Sequence, residues 1–435
     1  MKKIKTTIFL VTMLLFSIVL PKQSYGQFPS HVYKGTNYDL GLIRNYDANT
    51  SIVSLMKNGQ YYLAKINHNN YYLSTILFFT NATALDTFFT QMVDMCVCGN
   101  YVFVCGRGKY GDGLIGYMKI SDIGLPAAPF VYFNIGCVEK IHSMVAYLDG
   151  SSQIKVVAVG RPNSSYDHFV VQIDDAVGMP SFTCKYVSDE VLHEVRQSGS
   201  HLVLIGYDLT NKAMSLRKAN PNIGINDPMI DTKYYYYTTD DDILSRTVSK
   251  FSSRNPSHLA VSYMSQDNIG SIVTCIRYYD MQTMNMVDRQ YFDPNSKVAP
   301  QEMTYVESVD RFVLLEPFNF AGTQNANFIF LQSGGIPYNA RLLFYPSIEF
   351  WSLDCFNIQY FISCAPHNIY FQDCAVPVPY NPTCIQENDI SVKIMPTVSF
   401  TPVYSPLLAA SCLGSMDTVL QNWISLQFDY DCHNN

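Results

Sequence analysis

"CVCGNYVFVCGR", residues 96–107, sets three cysteines around a Gly99-Asn100 pair and an alternating apolar run. A metal site, a disulfide and a β-hairpin all compete for it. Gly-Asn supplies the positive φ that a two-residue reversal needs. A hairpin turning there sets Cys98 opposite Tyr101, Cys96 opposite Phe103 and Cys105 opposite Asp94. No two cysteines then face each other, and a bridge needs Cα atoms within about 7 Å. The C-x-C spacing also lacks the second ligand pair that zinc sites use. The stretch reads as a hairpin in which Cys105 is a small buried apolar residue.

The same shape recurs along the chain. "QYYLAKI" at 60, "YVFVCGR" at 101, "KVVAVGR" at 155, "HLVLIGY" at 201, "HLAVSYM" at 258, "RFVLLEP" at 311 and "QYFISCA" at 359 start 41, 54, 46, 57, 53 and 48 residues apart. That spacing is close to the period of roughly 40 to 50 residues shown by propeller blades. A second run follows each, among them "GLIGYMKI" at 113, "HFVVQID" at 168 and "AMSLRKA" at 213. Aromatic-rich runs such as "DTFFTQ" at 86, "FVYFNI" at 130 and "KYYYYT" at 233 separate one triplet from the next. Four antiparallel strands repeated about seven times predict an all-β fold, a β-propeller of seven four-stranded blades. No blade can bury both faces alone, whereas radially stacked neighbours cover one another.

Composition agrees. The chain has 435 residues with 32 Tyr and 26 Phe, and turn residues at short intervals. Its opening, basic Lys2, Lys3 and Lys5 followed by "TTIFLVTMLLFSIVL" and "SYGQ", has the form of a signal peptide cleaved before Gln27. The apolar run falls short of the roughly 20 residues a spanning helix needs. Cleavage would remove four lysines and no acid from 29 basic and 36 acidic residues, leaving a net charge of −11. Such a surface repels nucleic acid and anionic lipid. Residues 1–26 are therefore expected as the signal, 27–390 as the propeller, and 391–435 as strands that close the ring or form a small appended module. The mature chain is expected in the periplasm or outside the cell, as a monomer not inserted in a membrane.

Six of the twelve cysteines fall at or after Cys355, an even number that in an exported protein reads as crosslinks. Cys374 and Cys384 bracket the proline-rich "AVPVPYNPT" and form the candidate pair, part of a disulfide-rich closure segment.

Catalytic and metal signatures are weak. His201 and His258 open equivalent strands, as a repeat position would, and no H-E-x-x-H or H-x-H spacing occurs. Asp240-Asp241-Asp242 lacks the alternate ligand spacing of a calcium loop. A glycosidase needs two carboxylates roughly 5 to 10 Å apart, and Glu190, Glu194, Asp241, Asp242, Glu302 and Glu349 all precede or begin inner strands. We assign no catalytic residue, no metal and no cofactor. The loops "RGKYGDG" at 107 and "GRPNSSYDH" at 160 carry the Tyr, Asn, Ser and Arg mixture of recognition loops. The candidate ligand-binding residues are Arg107, Tyr110, Arg161, Tyr166, Asp241 and Asp242.

The opening that ends in "SYGQ", the Tyr- and Asn-rich composition and the degenerate repeat together resemble the uncharacterised secreted β-propeller proteins of Bacteroidetes. The resemblance covers residues 50–375 as architecture and carries over no functional residue. The expected function is non-catalytic recognition of a protein or glycan through the loop face. A glycan hydrolase or lyase working at the axial mouth, and a structural envelope protein, are the alternatives.

Overall fold

The computed structural model describes residues 32–35, 39–69, 76–79, 82–85, 89–162, 167–236, 241–243, 247–267, 272–292, 299–307, 310–320, 323–332, 340–345, 352–356, 360–365, 368–373, 386–390, 392–394, 400–411, 414–421, 423–424 and 428–431. These residues form antiparallel strands, turns and three short 3-10 turns. Seven sheets of five or six strands follow one another along the chain. Their first strands are Asp39–Asp47, Phe89–Cys98, Lys140–Leu148, Glu190–Ser198, Val248–Phe251 (which shares its edge with the short Asp241–Ile243), Glu302–Val306 and Ser352–Phe356; the sheets are numbered 1 to 7 in that order. Each first strand touches the first strand of the next sheet, and Ser352–Phe356 touches Asp39–Asp47. The inner strands therefore close a circle, and the architecture is that of a β-propeller.

This arrangement explains why the second strands carry unbroken apolar runs at their centres instead of alternating. A sheet covered on both faces buries both sets of side chains. Val102 and Val104 pack with Ile52 and Leu63 of sheet 1, whereas Phe103 and Cys105 pack with Val156 and Ala158 of sheet 3. Val157 and Val159 turn the other way, onto Leu202 and Leu204 of sheet 4, and Val203 and Ile205 meet Leu259 and Val261 of sheet 5. Each fully buried Val, Leu, Ile or Phe contributes about 1.5–3 kcal/mol, so the stabilisation is spread over every junction between sheets.

The opening hairpin has the expected register. Cys98 pairs with Tyr101, Cys96 with Phe103 and Cys105 with Asp94, and Gly99 reverses the chain at φ 54°. All three cysteines are free thiols, and Cys105 is fully buried. The first repeat is offset by one strand: "QYYLAKI" lies in Gln60–Asn69, the third strand of sheet 1, because Thr50–Lys57 already holds the second position. Accordingly, the described part of "DTFFTQ" opens the inner strand of sheet 2 rather than ending sheet 1.

The first and last described strands both join the ring. Val32–Gly35 pairs with Asn368–Asp373 as the fourth strand of sheet 7. The C-terminal tail supplies one further antiparallel strand to every sheet. Gln386–Ile390 adds to sheet 6, Val392–Ile394 to sheet 5, Thr401–Tyr404 to sheet 4, Leu408–Ala409 to sheet 3, Gly414–Gln421 to sheet 2, Trp423–Ile424 to sheet 1 and Phe428–Asp431 to sheet 7. The tail thus circles the ring against chain order and covers outer edges whose unpaired N–H and C=O groups would otherwise recruit other strands. Cys374 and Cys384 lie outside the described residues.

One buried ionic group anchors this belt. Arg217 and Glu190, both without solvent exposure, pair at 2.7 Å. The same guanidinium donates to the carbonyl and hydroxyl oxygens of Ser405 at 2.5 and 3.0 Å. Nearby, Lys233 bridges Asp189 at 2.6 Å and Asp208 at 2.5 Å. A buried charge is tolerated only when it is paired and its remaining hydrogens are satisfied, and belt residue Ser405 completes that set.

Candidate functional site

The inner strands enclose an axial cavity of about 920 Å³, lined by residues of all seven sheets. A register shift recurs in these strands, between Leu40 and Ile43, Met92 and Asp94, Ile141 and Ser143, and Leu192 and Glu194. Bulges re-aim the side chains that follow them. Asp94, Ser143 and Glu194 each come directly after one, and each lines the cavity.

These side chains bind the next sheet. Asp94 accepts from the Met144 N–H at 3.1 Å, Ser143 from Val195 N–H at 3.2 Å, and Glu302 from Leu353 N–H at 2.9 Å. Ser352 accepts from Ile43 N–H at 3.2 Å and Asp354 from Asn45 N–H at 2.9 Å. Such links satisfy backbone donors that the bulged ladders leave unpaired.

Two arginines repeat one arrangement on nearly opposite parts of the ring. Arg44 donates through Nε to Met95 O, through Nη1 to Ile43 O and Ser352 Oγ, and through Nη2 to Asp94. Arg196 donates through Nε to Ser249 O, through Nη1 to Val195 O and Ser143 Oγ, and through Nη2 to Glu194. Each therefore touches the sheet before it and the sheet after it. Arg44 also reaches Glu302 at 2.7 Å. Burial opposes its charge, but Glu302, Asp94 and Asp354 outweigh that and hold it above the ordinary arginine range.

The consequence for catalysis is direct. Glu194 accepts from Arg196 and from the Ser249 hydroxyl, both at 2.5 Å. Asp354 accepts from Asn45 N–H and Cys355 N–H, and Lys250 stands 3.5 Å away. A general acid must be free to hold a proton toward its substrate, whereas these carboxylates bind cations and amides of neighbouring sheets. Glu190 lies in the belt anchor, away from the cavity lining, and Glu349 lies outside the described residues.

Of the loop residues, Arg107 and Arg161 come together around Glu139: Arg107 pairs with its carboxylate, and the Arg161 carbonyl accepts its N–H at 3.1 Å. Tyr110 is 84% exposed at the loop tip. Asp241 and Asp242 sit in a short strand opposite Asp267 and Gln266; their side chains, and Tyr166, fall outside the described residues. His201 and His258 are buried, and burial lowers both pKa values. Among the described residues, no group of three or more His, Cys, Asp or Glu side chains could hold a metal, and no helix is long and apolar enough to cross a membrane.

Arg44, Arg196 and Lys250 were not singled out in the sequence. A signal existed: Ile43-Arg44-Asn45 and Val195-Arg196-Gln197 share an aliphatic-Arg-amide pattern in the strand before the recurrent apolar run.

No protein-family model matches the chain, and no curated protein matches it. Solved structures that superpose include Drosophila Semaphorin 2a, at 7% identity over 79% of this chain and 75% of that one, with a TM-score of 0.42. Oligopeptidase B from Leishmania major superposes at 10% identity over 74% of this chain, with a TM-score of 0.34. The superposition spans 55% of the oligopeptidase.

Proposed function

We propose that the chain is an exported, non-catalytic recognition protein: a seven-bladed propeller whose belt closes its edges and whose loop face binds a protein or glycan. The observation that carries this reading is the engagement of Asp94, Glu194, Glu302 and Asp354 in links between sheets, which turns the acids of the axial mouth into structural groups. Tyr110 is exposed at a loop tip, with the Arg107–Glu139–Arg161 cluster beside it. An exposed tyrosine with polar neighbours suits recognition by stacking and hydrogen bonding. Residues 1–26 serve as the export signal, and the mature chain works as a monomer.

The test pairs binding with turnover. The chain from residue 27 onward is applied to a glycan array and to candidate partner proteins, alongside Tyr110→Ala and Glu194→Gln. Binding that Tyr110→Ala weakens, with no sugar released by any form, supports the reading. Release of sugar that Glu194→Gln abolishes overturns it.

A further inference from the structure

The axial cavity is electrically lopsided. Sheets 3, 4 and 5 line it with Lys140, Arg196 and Lys250 against one carboxylate, Glu194, whereas the other sheets line it with Asp39, Asp94, Glu302 and Asp354 against Arg44. One side of the wall is thus net cationic and the other net anionic.

Donor capacity is uneven as well. Asp94 takes hydrogens from Arg44, Met95 N–H and Met144 N–H, and Asp354 from Asn45 N–H and Cys355 N–H, so the acidic side is well supplied with donors. On the cationic side, Arg196 has five N–H hydrogens, and Nη2 gives one of its two to Glu194. Its side chain is 25% exposed. Lys250 carries three hydrogens, and its partner among the described residues is Asp354, at 3.5 Å; its side chain is 40% exposed. These two cations sit on adjoining strands, because Arg196 Nε donates to the carbonyl of Ser249, the residue before Lys250. The hydrogens left for a guest therefore belong to two side chains that line the cavity, and they call for anionic oxygen.

We propose that the axial cavity binds a small oxyanion, a phosphate or carboxylate group, between Arg196 and Lys250. About 920 Å³ falls within the roughly 300–1,000 Å³ typical of small-ligand sites. Charge-assisted hydrogen bonds from an arginine and a lysine on one wall are the usual means of holding such a group. Arg196 also joins three sheets, so occupancy bears on the same junction that positions Ser143 and Ser249.

The test is calorimetric titration of the chain from residue 27 onward with inorganic phosphate and, separately, with succinate, against chloride at matched ionic strength. Saturable one-to-one binding of either oxyanion is expected, with chloride inert. Binding of phosphate alone identifies a phosphate site, and binding of succinate alone a carboxylate site. Lys250→Met should weaken binding about tenfold, the loss of one charge-assisted contact, while Lys250→Arg retains it. Lys119→Ala, at an exposed lysine outside the cavity lining, should leave it unchanged, and thermal unfolding checks that each variant is folded. No saturable binding of either oxyanion, or binding that folded Lys250→Met leaves intact, overturns the proposal. Either result leaves the loop-face reading standing, since that is tested separately by Tyr110→Ala in its own binding assay.

Discussion

Arg44 Nε donates to the carbonyl oxygen of Met95 at 2.6 Å, tying sheet 1 to sheet 2 while its other nitrogens hold Ser352 of sheet 7. One side chain thus spans three neighbouring sheets, at the point where the chain's circle meets itself. Replacing it with methionine strands Asp94 and Glu302 without their cation. Breaking a buried pair on one side costs about 3–5 kcal/mol. Urea denaturation of Arg44→Met should show a loss of that size with little change in slope, and a loss under about 1 kcal/mol would mean that the pair is solvated.

The belt anchor makes a separate prediction. Arg217→Met leaves Glu190 fully buried without its cation and removes two donors from Ser405. Stability should again fall by about 3–5 kcal/mol. Limited proteolysis should cut residues 401–409 before the sheets themselves, and mass spectrometry of the first fragments reads the order. Simultaneous cutting throughout would show that belt and sheets unfold as one unit.

Acid should weaken the protein through His168. Burial and the nearby Arg161 charge lower its pKa from 6.5 to about 4, with a backbone contact to Leu192 and Asp167 acting the other way, and the His142 ring lies against it. Because the folded value is depressed, the unfolded chain takes up the proton first as pH falls. The contribution is complete above about pH 6.5 and is lost between there and pH 4, by roughly 3 kcal/mol. His201 and His258 shift in the same direction. Denaturation midpoints of His168→Gln should depend less steeply on pH across that interval than those of the parent.

A close contact in sheet 2 gives a compensating pair. A Cβ on Gly116 would fall 2.1 Å from Phe130 Cζ, and Phe130 is fully buried. Gly116→Ala should cost about 1–3 kcal/mol by overpacking. Adding Phe130→Leu to it should recover part of the loss, although Phe130→Leu alone destabilises. Additive losses in the double variant would show that the two side chains do not compete for that space.

The second strands were legible in the sequence because they are buried on both faces, so "KVVAVGR" and "HLVLIGY" read as unbroken apolar runs. That same signal misled at the start of the repeat. "QYYLAKI" has the composition of a second strand but occupies the third position, where burial on both faces is equally complete for Leu63 and Ala64. The inner strands were harder to place, since bulges interrupt their period and their polar residues serve the neighbouring sheet instead of water. The sequence marks the belt only as closing strands or an appended module. Thr401–Tyr404 is exposed throughout, and an edge strand held by backbone bonds leaves little pattern in its side chains.

Closure of the ring between sheet 7 and sheet 1 is the central claim, and a double-mutant cycle on Arg44 and Ser352 tests it most directly. These residues are 308 positions apart and bonded at 3.1 Å. Measured by urea denaturation of Arg44→Met, Ser352→Ala and the double variant, their coupling energy should be about 1 kcal/mol, within the range of roughly 0.5–3 kcal/mol for residues in contact. Strict additivity would mean that the first and last sheets do not meet, and would contradict the closed ring.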